Sequence, residues 1–266
     1  MLYIAKSNSM EKFIEELARK AGEIVMGYYK KGIKAIPKAS PTDVVTDADF
    51  KANRYLVDTI KEALPDHGII SEEMGSENTD AEYVWVIDPL DGTNNFSKGI
   101  PMFGVVISLT KKMEPQFSAI YDPVADEYIM AKAGQGVFLN GVKTECSKIK
   151  KITDSWGCLY PFKRPKDAPL WNKFLELELK KEFAFSAYGS ACKTTQFVAS
   201  GRRDWIISFD SYIWDLIPEI HILRESGCKV TNFSGEEWKP GDIGFIAANP
   251  DLHKELIKTF IIKGKK

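Results

Sequence analysis

Apolar positions recur at helical spacing over residues 11–28, where Phe13, Ile14, Leu17, Ala18, Ala21, Ile24, Val25 and Tyr28 share one face. Gly32 is the expected stop. Residues 35–42 (AIPKASPT) hold two prolines and no period, which predicts a loop. A second amphipathic helix is expected over about residues 47–64, with Phe50, Leu56, Val57, Ile60 and Leu64 inward. The pattern then changes to short β-rich runs at 83–88, 104–110, 115–121 and 127–131. A run at 137–139 followed by Asn140-Gly141 predicts the end of a hairpin.

Beyond a polar, Lys-rich join at 146–154, strands and helices alternate. Strands are expected at 157–160, 183–188, 205–209, 229–233 and 244–248, and helices at 168–181, 190–200, 215–226 and 250–261. The first half, 1–150, therefore reads as α+β and the second, 151–266, as α/β. The two are expected to form one unit, residues 1–266, of stacked helix and sheet layers that cooperate at one cleft.

A chain of 266 residues, 44% hydrophobic and 27% charged, can bury a real core and excludes wholesale disorder. Thirty-six basic residues against thirty-seven acidic ones give a net charge of −1 with no basic stripe. That balance argues against a nucleic-acid binder resting on phosphate neutralisation. The opening MLYIAKSNSM breaks its apolar run at Lys6, and no run approaches the roughly 18 residues of a membrane span. The expectation is a cytoplasmic protein without membrane attachment. Cys146, Cys158, Cys192 and Cys228 lie far apart with no CxxC, so they read as free thiols.

The most informative segment is Trp85-Val86-Ile87-Asp88-Pro89-Leu90-Asp91-Gly92-Thr93. An apolar strand ends in a carboxylate, is expected to turn at Pro89, and presents a second carboxylate three residues on. Two such groups repel unless protonated or shared with cations, and hard divalent ions with oxygen ligands are the usual solution. The Leu90 carbonyl offers another oxygen, and amides at Gly92 and Thr93 could meet an anion held by the same metals. Asp-Pro or Asp-Gly alone would be an ordinary capping turn. Further acids at element ends change that: Glu72 and Glu73 after a short β run, Asp215 after Trp214, and Asp47 and Asp49 after Val44-Val45-Thr46. Each is ordinary in isolation, as a surface glutamate or a helix cap. A shared metal site explains them together.

These motifs, with Gly99-Ile100-Pro101, residues 134–141, Gly189-Ser190-Ala191 and Trp214-Asp215, make the chain resemble the inositol monophosphatase family over nearly its whole length. The family comprises Mg²⁺-dependent, lithium-sensitive phosphatases and includes archaeal-type fructose-1,6-bisphosphatases. The resemblance implies an αβαβα layered sandwich of the sugar-phosphatase type, a homodimer, and two or three Mg²⁺ ions per active site. Glu72, Asp88 and the Leu90 carbonyl would hold the first ion and Asp88, Asp91 and Asp215 the second, with Glu72 near a weaker third. Catalytic roles would fall to Thr93 and Asp49, which orient and help deprotonate the attacking water, and to Glu72. Substrate contacts would come from Gly92, Thr93, Gly189, Ser190, Ala191, Ser208 and Asp215, and Lys38 would approach from the proline-containing segment. The substrate would be a small phosphorylated polyol or sugar, inositol 1-phosphate or fructose 1,6-bisphosphate. Alternatives are a nucleotide 3′-phosphatase or a catalytically weak, metal-responsive binding protein of the same fold.

Two departures bear on the substrate. Inositol-type members carry an acidic residue seven positions before the aspartate of the Trp-Asp motif, where this chain has Ser208. After Trp214-Asp215 the family continues with small residues, whereas here Leu216-Ile217-Pro218-Glu219 follows, with Pro218 expected in a helical first turn. Residues 189–194 end like a P-loop but lack its spacing. Lys193 reads as an exposed helix lysine and, with Arg203, as a candidate partner for a second phosphate.

Overall fold

In the computed structural model, which describes residues 7–29, 35–40, 43–160, 168–180, 184–209, 212–242 and 244–260, the first amphipathic pattern folds as α1 (Ser7–Tyr29). Its buried stripe is Ile14, Leu17, Ala18, Ala21 and Val25, the spacing that turns one helical face to a core. Gly32 lies outside the described residues. Beside it, α2 (Asp47–Ala63) buries Ala48, Asp49, Ala52, Asn53, Leu56, Val57 and Ile60. Phe50 corrects the expectation, being 46% exposed. The buried stripe runs through 49, 52, 53 and 56, and position 50 falls outside it.

The proline-containing stretch is not a loop. β1 (Ala35–Ser40) pairs antiparallel with β2 (Asp43–Thr46), Ile36 opposite Val45 and Pro37 opposite Val44. In a two-stranded ribbon both strands are edges, where a proline's missing N–H can be accommodated. The register slips between Pro37 and Ser40. Periodicity failed here because that slip and the prolines break the alternation.

The large sheet contains β3 (Gly68–Ser71), β4 (Gly75–Glu77), β5 (Tyr83–Asp91), β6 (Gly104–Lys111), β7 (Glu114–Asp122), β8 (Glu127–Lys132), β9 (Gly136–Leu139) and β10 (Val142–Thr144). Its order is β10-β9-β8-β7-β6-β5-β3-β4, with β3 parallel to β5 and the other neighbours antiparallel. Asn140 and Gly141 join β9 to β10 with positive φ values of 47° and 79°, as a tight hairpin turn requires. The short α3 (Thr93–Ser97) follows β5.

The second half supplies β11 (Trp156–Tyr160), α4 (Ala168–Leu179), β12 (Ala184–Ser186), α5 (Ala191–Ala199), β13 (Trp205–Ser208), α6 (Ile213–Glu225), β14 (Lys229–Thr231), β15 (Phe245–Ala248) and α7 (Pro250–Phe260). Its sheet order is β12-β11-β13-β15-β14. Along β13 the period of two divides the residues between cores: Trp205 and Ile207 join one cluster and Ile206 another. Gly157 on β11 makes room for the Trp205 indole, since an added Cβ would lie 1.9 Å from the ring.

Apolar interfaces among the described residues stack the layers. Leu17, Leu56 and Ile60 of α1 and α2 pack on Trp85, Ile87 and Ile107 of the large sheet. Its other face, through Val106, Ile120 and Ile129, meets Val198, Ile220 and Leu223 of α5 and α6, which also cover Ile206 and Ala247 of the small sheet. Phe174, Leu252 and Leu256 of α4 and α7 close the far side against Leu159, Trp205 and Ile246. The order helix, sheet, helix, sheet, helix is the layered sandwich expected. The middle helical layer serves both sheets, and the second half thereby reaches the strands of the first.

Candidate active site

The two carboxylates of the Asp88–Asp91 run owe their shared direction to a bulge. In a regular strand, residues three apart face opposite sides of the sheet. Here Asp88 is paired with Val106 and Asp91 with Gly104, so three steps on β5 span two on β6. One extra residue restores the phase and brings both aspartates to one side. The expected turn at Pro89 is thus corrected: β5 continues to Asp91, and proline's lack of an N–H is tolerated where ladder pairing is interrupted. Within the bulge, Leu90 N–H donates to Asp88 Oδ1 at 2.9 Å.

Other elements bring the remaining acids. Parallel pairing of β3 with β5 sets Ser71 beside Ile87, so Glu72, one residue on, reaches a hydrogen bond with Asp88. Asp215 sits in the first turn of α6 and is not its cap, which is Tyr212. Oxygen atoms of Asp88, Asp91 and Asp215 lie within 4.8 Å of one another, all three side chains buried. Pro218 falls in the second helical turn, not the first, and so removes the N–H that would meet the Trp214 carbonyl.

Asp49 closes a capping box at the start of α2, its Oδ2 accepting from Thr46 N–H at 2.8 Å and from the Thr46 hydroxyl at 2.6 Å. Its other oxygen accepts from the Thr93 hydroxyl at 3.0 Å, and the same hydroxyl lies 2.8 Å from the Leu90 carbonyl. The expected Asp49–Thr93 pair is therefore assembled across 44 residues. Burial raises Asp49 to about 6 against the lowering effect of its Thr46 and Thr93 bonds, with Glu73 adding repulsion. Asp47, two residues before it, is exposed.

Asp91 is gripped from the second half. The Ser190 hydroxyl donates to it, as do Ala191 N–H at 3.2 Å and Cys192 N–H at 3.0 Å. Ser190 also N-caps α5 by accepting from Lys193 N–H. Gly92 makes this approach possible: with φ of +84°, an added Cβ would lie 2.6 Å from the Met102 carbonyl and 3.2 Å from Ser190 Cβ. Asn95, which follows the same motif, ties the neighbouring loop down by donating to the Met102 and Tyr188 carbonyls at 2.9 and 2.7 Å.

Burial and mutual repulsion with Glu72 and Asp91 hold Asp88 well above the usual carboxylate range, and burial raises Asp91 as well, against the lowering effect of the Cys192 thiol and of the Ser190, Cys192 and Ala191 donations at the helix end. Among the described residues, the buried lysine does not relieve this charge: Lys193 is bound to Asp122 and to Gln196. A cluster of carboxylates, with Asp88, Asp91 and Asp215 buried, and a backbone carbonyl beside them is a set of hard oxygen donors that fits Mg²⁺. The residues that could hold it are Glu72, Asp88, Leu90, Asp91 and Asp215.

The remaining candidate residues take other places. Lys193 is neither exposed nor available to a second phosphate, being 3% exposed within its ion pair. Arg203 lies over the rings of Trp156 and Tyr188, at 5.3 and 5.8 Å from their centroids. Ser208, at the end of β13, is fully buried and has a polar partner. Lys38 lies on β1, with its side chain outside the described residues. Gly189, with φ of +67°, precedes the α5 cap.

Residues 6–263 match the inositol monophosphatase family. The fructose-1,6-bisphosphatase/inositol-1-monophosphatase of Thermotoga maritima is 30% identical over 247 residues, 93% of this chain and 94% of that one. The Nus factor SuhB of Escherichia coli K12 is 33% identical over 244 residues, 90% and 91% of the two chains. Among solved structures, the extragenic suppressor protein SuhB from Bartonella henselae superposes with a TM-score of 0.89 at 27% identity, covering 96% of this chain and 99% of that one. Among the described residues, no helix is long and apolar enough to cross a membrane.

Proposed function

The chain belongs to the inositol monophosphatase family, and on that premise we propose that it is a Mg²⁺-dependent phosphomonoesterase acting on small phosphorylated polyols or sugars. The observation that carries this reading is the convergence of Asp88, Asp91 and Asp215 within 4.8 Å, with the Asp49–Thr93 hydrogen bond anchored to the same Leu90 carbonyl. Glu72, Asp88, Leu90, Asp91 and Asp215 would hold the ions, which when bound would supply Lewis acidity toward the phosphoryl oxygens.

The chain's own groups orient and move protons. Thr93 Oγ1 accepts from the attacking water while passing its own proton toward Asp49 Oδ1, the acceptor it already contacts at 3.0 Å. A carboxylate raised to about 6 is matched to receive that proton near neutral pH. Gly92 and Thr93 amides meet the phosphate, and Glu72 holds its place against Asp88. Ser190 and Ala191 contribute mainly through Asp91, which they fix in direction.

Ser208 bears on specificity by what it leaves out. A carboxylate at this position would accept charge-assisted bonds from polyol hydroxyls and repel a second phosphate. The buried serine does neither, which favours tolerance of fructose 1,6-bisphosphate alongside inositol 1-phosphate. Lithium inhibition and a homodimer belong to the same reading. The name Nus factor on the E. coli relative supports a second one, a binding role for the same fold. Phosphate release from inositol 1-phosphate, fructose 1,6-bisphosphate and 3′-phosphoadenosine 5′-phosphate at fixed Mg²⁺ separates them. The proposal expects Mg²⁺-dependent turnover of the first two that Asp88→Asn abolishes, and no turnover of any substrate would leave the binding role. For Ser208→Glu the ratio of kcat/KM should move toward inositol 1-phosphate.

A further inference from the structure

Asn95 lies in α3, and its side chain joins the two halves of the chain. Nδ2 lies 2.9 Å from the Met102 carbonyl and 2.7 Å from the Tyr188 carbonyl. Both partners are acceptors only, so the amino end of the carboxamide must face them. Two carbonyls meeting at one atom need two protons there, and a primary amide supplies them. A hydroxyl supplies one, and a carboxylate at neutral pH none.

The neighbouring residues hold this carboxamide in place. Phe96 is fully buried and packs edge-on against Phe103, their centroids 5.1 Å apart, which fixes α3 in the core. The Asn95 carbonyl accepts from Lys98 and Ile100 N–H at 3.1 and 2.9 Å, closing the turn that leads to Met102. On the side of the second half, Gly189 allows the close approach. An added Cβ there would lie 3.3 Å from Asn95 Nδ2, and its φ of +67° disfavours any side chain.

Tyr188 and Gly189 lead directly into Ser190, the cap of α5. The Ser190 hydroxyl and the Ala191 and Cys192 N–H groups all donate to Asp91. A bond at residue 188 thus fixes the backbone two residues before the first of these donors. The other end of the clamp stands beside Gly92, the residue after Asp91. An added Cβ at Gly92 would lie 2.6 Å from the Met102 carbonyl and 3.2 Å from Ser190 Cβ. Asn95 therefore ties the donor segment to the strand end that carries its acceptor.

We propose that Asn95 is a positioning residue for the metal site. By clamping the Met102 and Tyr188 carbonyls with one amino group, it holds residues 188–190 where the end of α5 can grip Asp91, and so sets the affinity for Mg²⁺. It acts through Asp91 and touches neither ion nor substrate. This role presupposes that the carboxylate cluster is the Mg²⁺ site.

Calorimetric titration of Mg²⁺ into the full chain tests it, with amide hydrogen exchange at Ala191 and Cys192 followed by NMR in the metal-free protein. Asn95→Leu keeps the size and neutrality of the side chain but donates nothing, and Asn95→Ala removes it. Tyr29→Phe is the control: it deletes the hydroxyl that donates to the Gly99 carbonyl at 2.7 Å, loosening the same loop without touching residue 188. Both Asn95 variants should weaken Mg²⁺ by about tenfold, the lower end of the range for groups that support a metal ligand. Both should also speed exchange at Ala191 and Cys192, whereas Tyr29→Phe should do neither, whatever it does to the melting temperature. Asn95→Ala alone decides the matter if Asn95→Leu does not fold. Wild-type Mg²⁺ affinity in the Asn95 variants, or an equal loss in Tyr29→Phe, would overturn this role and leave the metal site standing. Wild-type protein that binds no Mg²⁺ would overturn the metal site and this role together.

Discussion

Lys193 and Asp122 form a buried ion pair that ties α5 of the second half to the end of β7 in the first, each side chain 3% exposed. Asp122 also accepts from Val124 and Ala125 N–H at 2.8 and 3.0 Å. Lys193 bonds Gln196 at 2.8 Å and lies 4.9 Å from the Phe197 ring centroid. The pair anchors the helix whose first amides grip Asp91. Lys193→Met leaves a carboxylate buried without its cation and should destabilise by about 3–5 kcal/mol. Adding Asp122→Asn should recover a large share of that loss, because the stranded charge is gone. Urea unfolding of the two variants checks the coupling, and a double variant no more stable than Lys193→Met counts against it.

Asp91→Asn separates stability from turnover. Without metal, removing one of several repelling buried carboxylates should leave the fold at least as stable as the wild type. With saturating Mg²⁺, phosphate release should fall by orders of magnitude, since a ligand is lost. Melting in EDTA and turnover in Mg²⁺, measured on one preparation, give both answers. Wild-type activity would remove Asp91 from the metal site.

At Ser190, two substitutions distinguish capping from the grip on Asp91. Ser190→Ala loses the α5 cap, about 1 kcal/mol, whereas Ser190→Gly loses only a few tenths. Both lose the hydroxyl donated to Asp91. Both should raise the Mg²⁺ concentration for half-maximal activity by about 10–100-fold, the scale for a group supporting a metal ligand. Equal Mg²⁺ curves for both variants and the wild type would show that the amides of Ala191 and Cys192 position Asp91 unaided.

Two buried histidines set an acid limit on stability. Burial pushes both His221 and His253 down to about 4 from an ordinary value near 6.5. Between those values the unfolded chain binds protons that the folded one does not, so stability is full above about 6.5 and is lost as pH falls toward 4. The loss is about 3 kcal/mol for each group. Substituting His253, whose Nε2 lies 3.0 Å from the Thr231 hydroxyl, by Gln should flatten the pH dependence by one such step. Denaturation midpoints between pH 4 and 7 in saturating Mg²⁺, which holds the carboxylates charged, make the comparison. An unchanged slope would rule out His253 as a contributor.

The acids were legible in the sequence where the signal is local. Asp88, Leu90 and Asp91 stand within one motif, and Asp49 opens an amphipathic helix behind Thr46. The bulge that aligns Asp88 with Asp91 was not legible, because it exists only in the pairing of β5 with β6. Lys193 misleads a reading by helix face: its partner is 71 residues away in another layer, and no pattern within α5 announces it. Likewise Ser190 is visible as a cap, but its acceptor lies 99 residues earlier. The ribbon of β1 and β2 escaped notice because its prolines and slipped register resemble a loop's.

The sharing of one helical layer between two sheets has a consequence for synthesis. A ribosome that has released residues 1–150 has already delivered Glu72, Asp88, Leu90 and Asp91, but neither the Ser190 hydroxyl nor the Asp215 carboxylate. The nascent first half therefore carries its repelling acids without their later partners until α5 and α6 emerge. Metal affinity should arrive late and abruptly along the growing chain, coupled to the docking of those helices on the strands made before them.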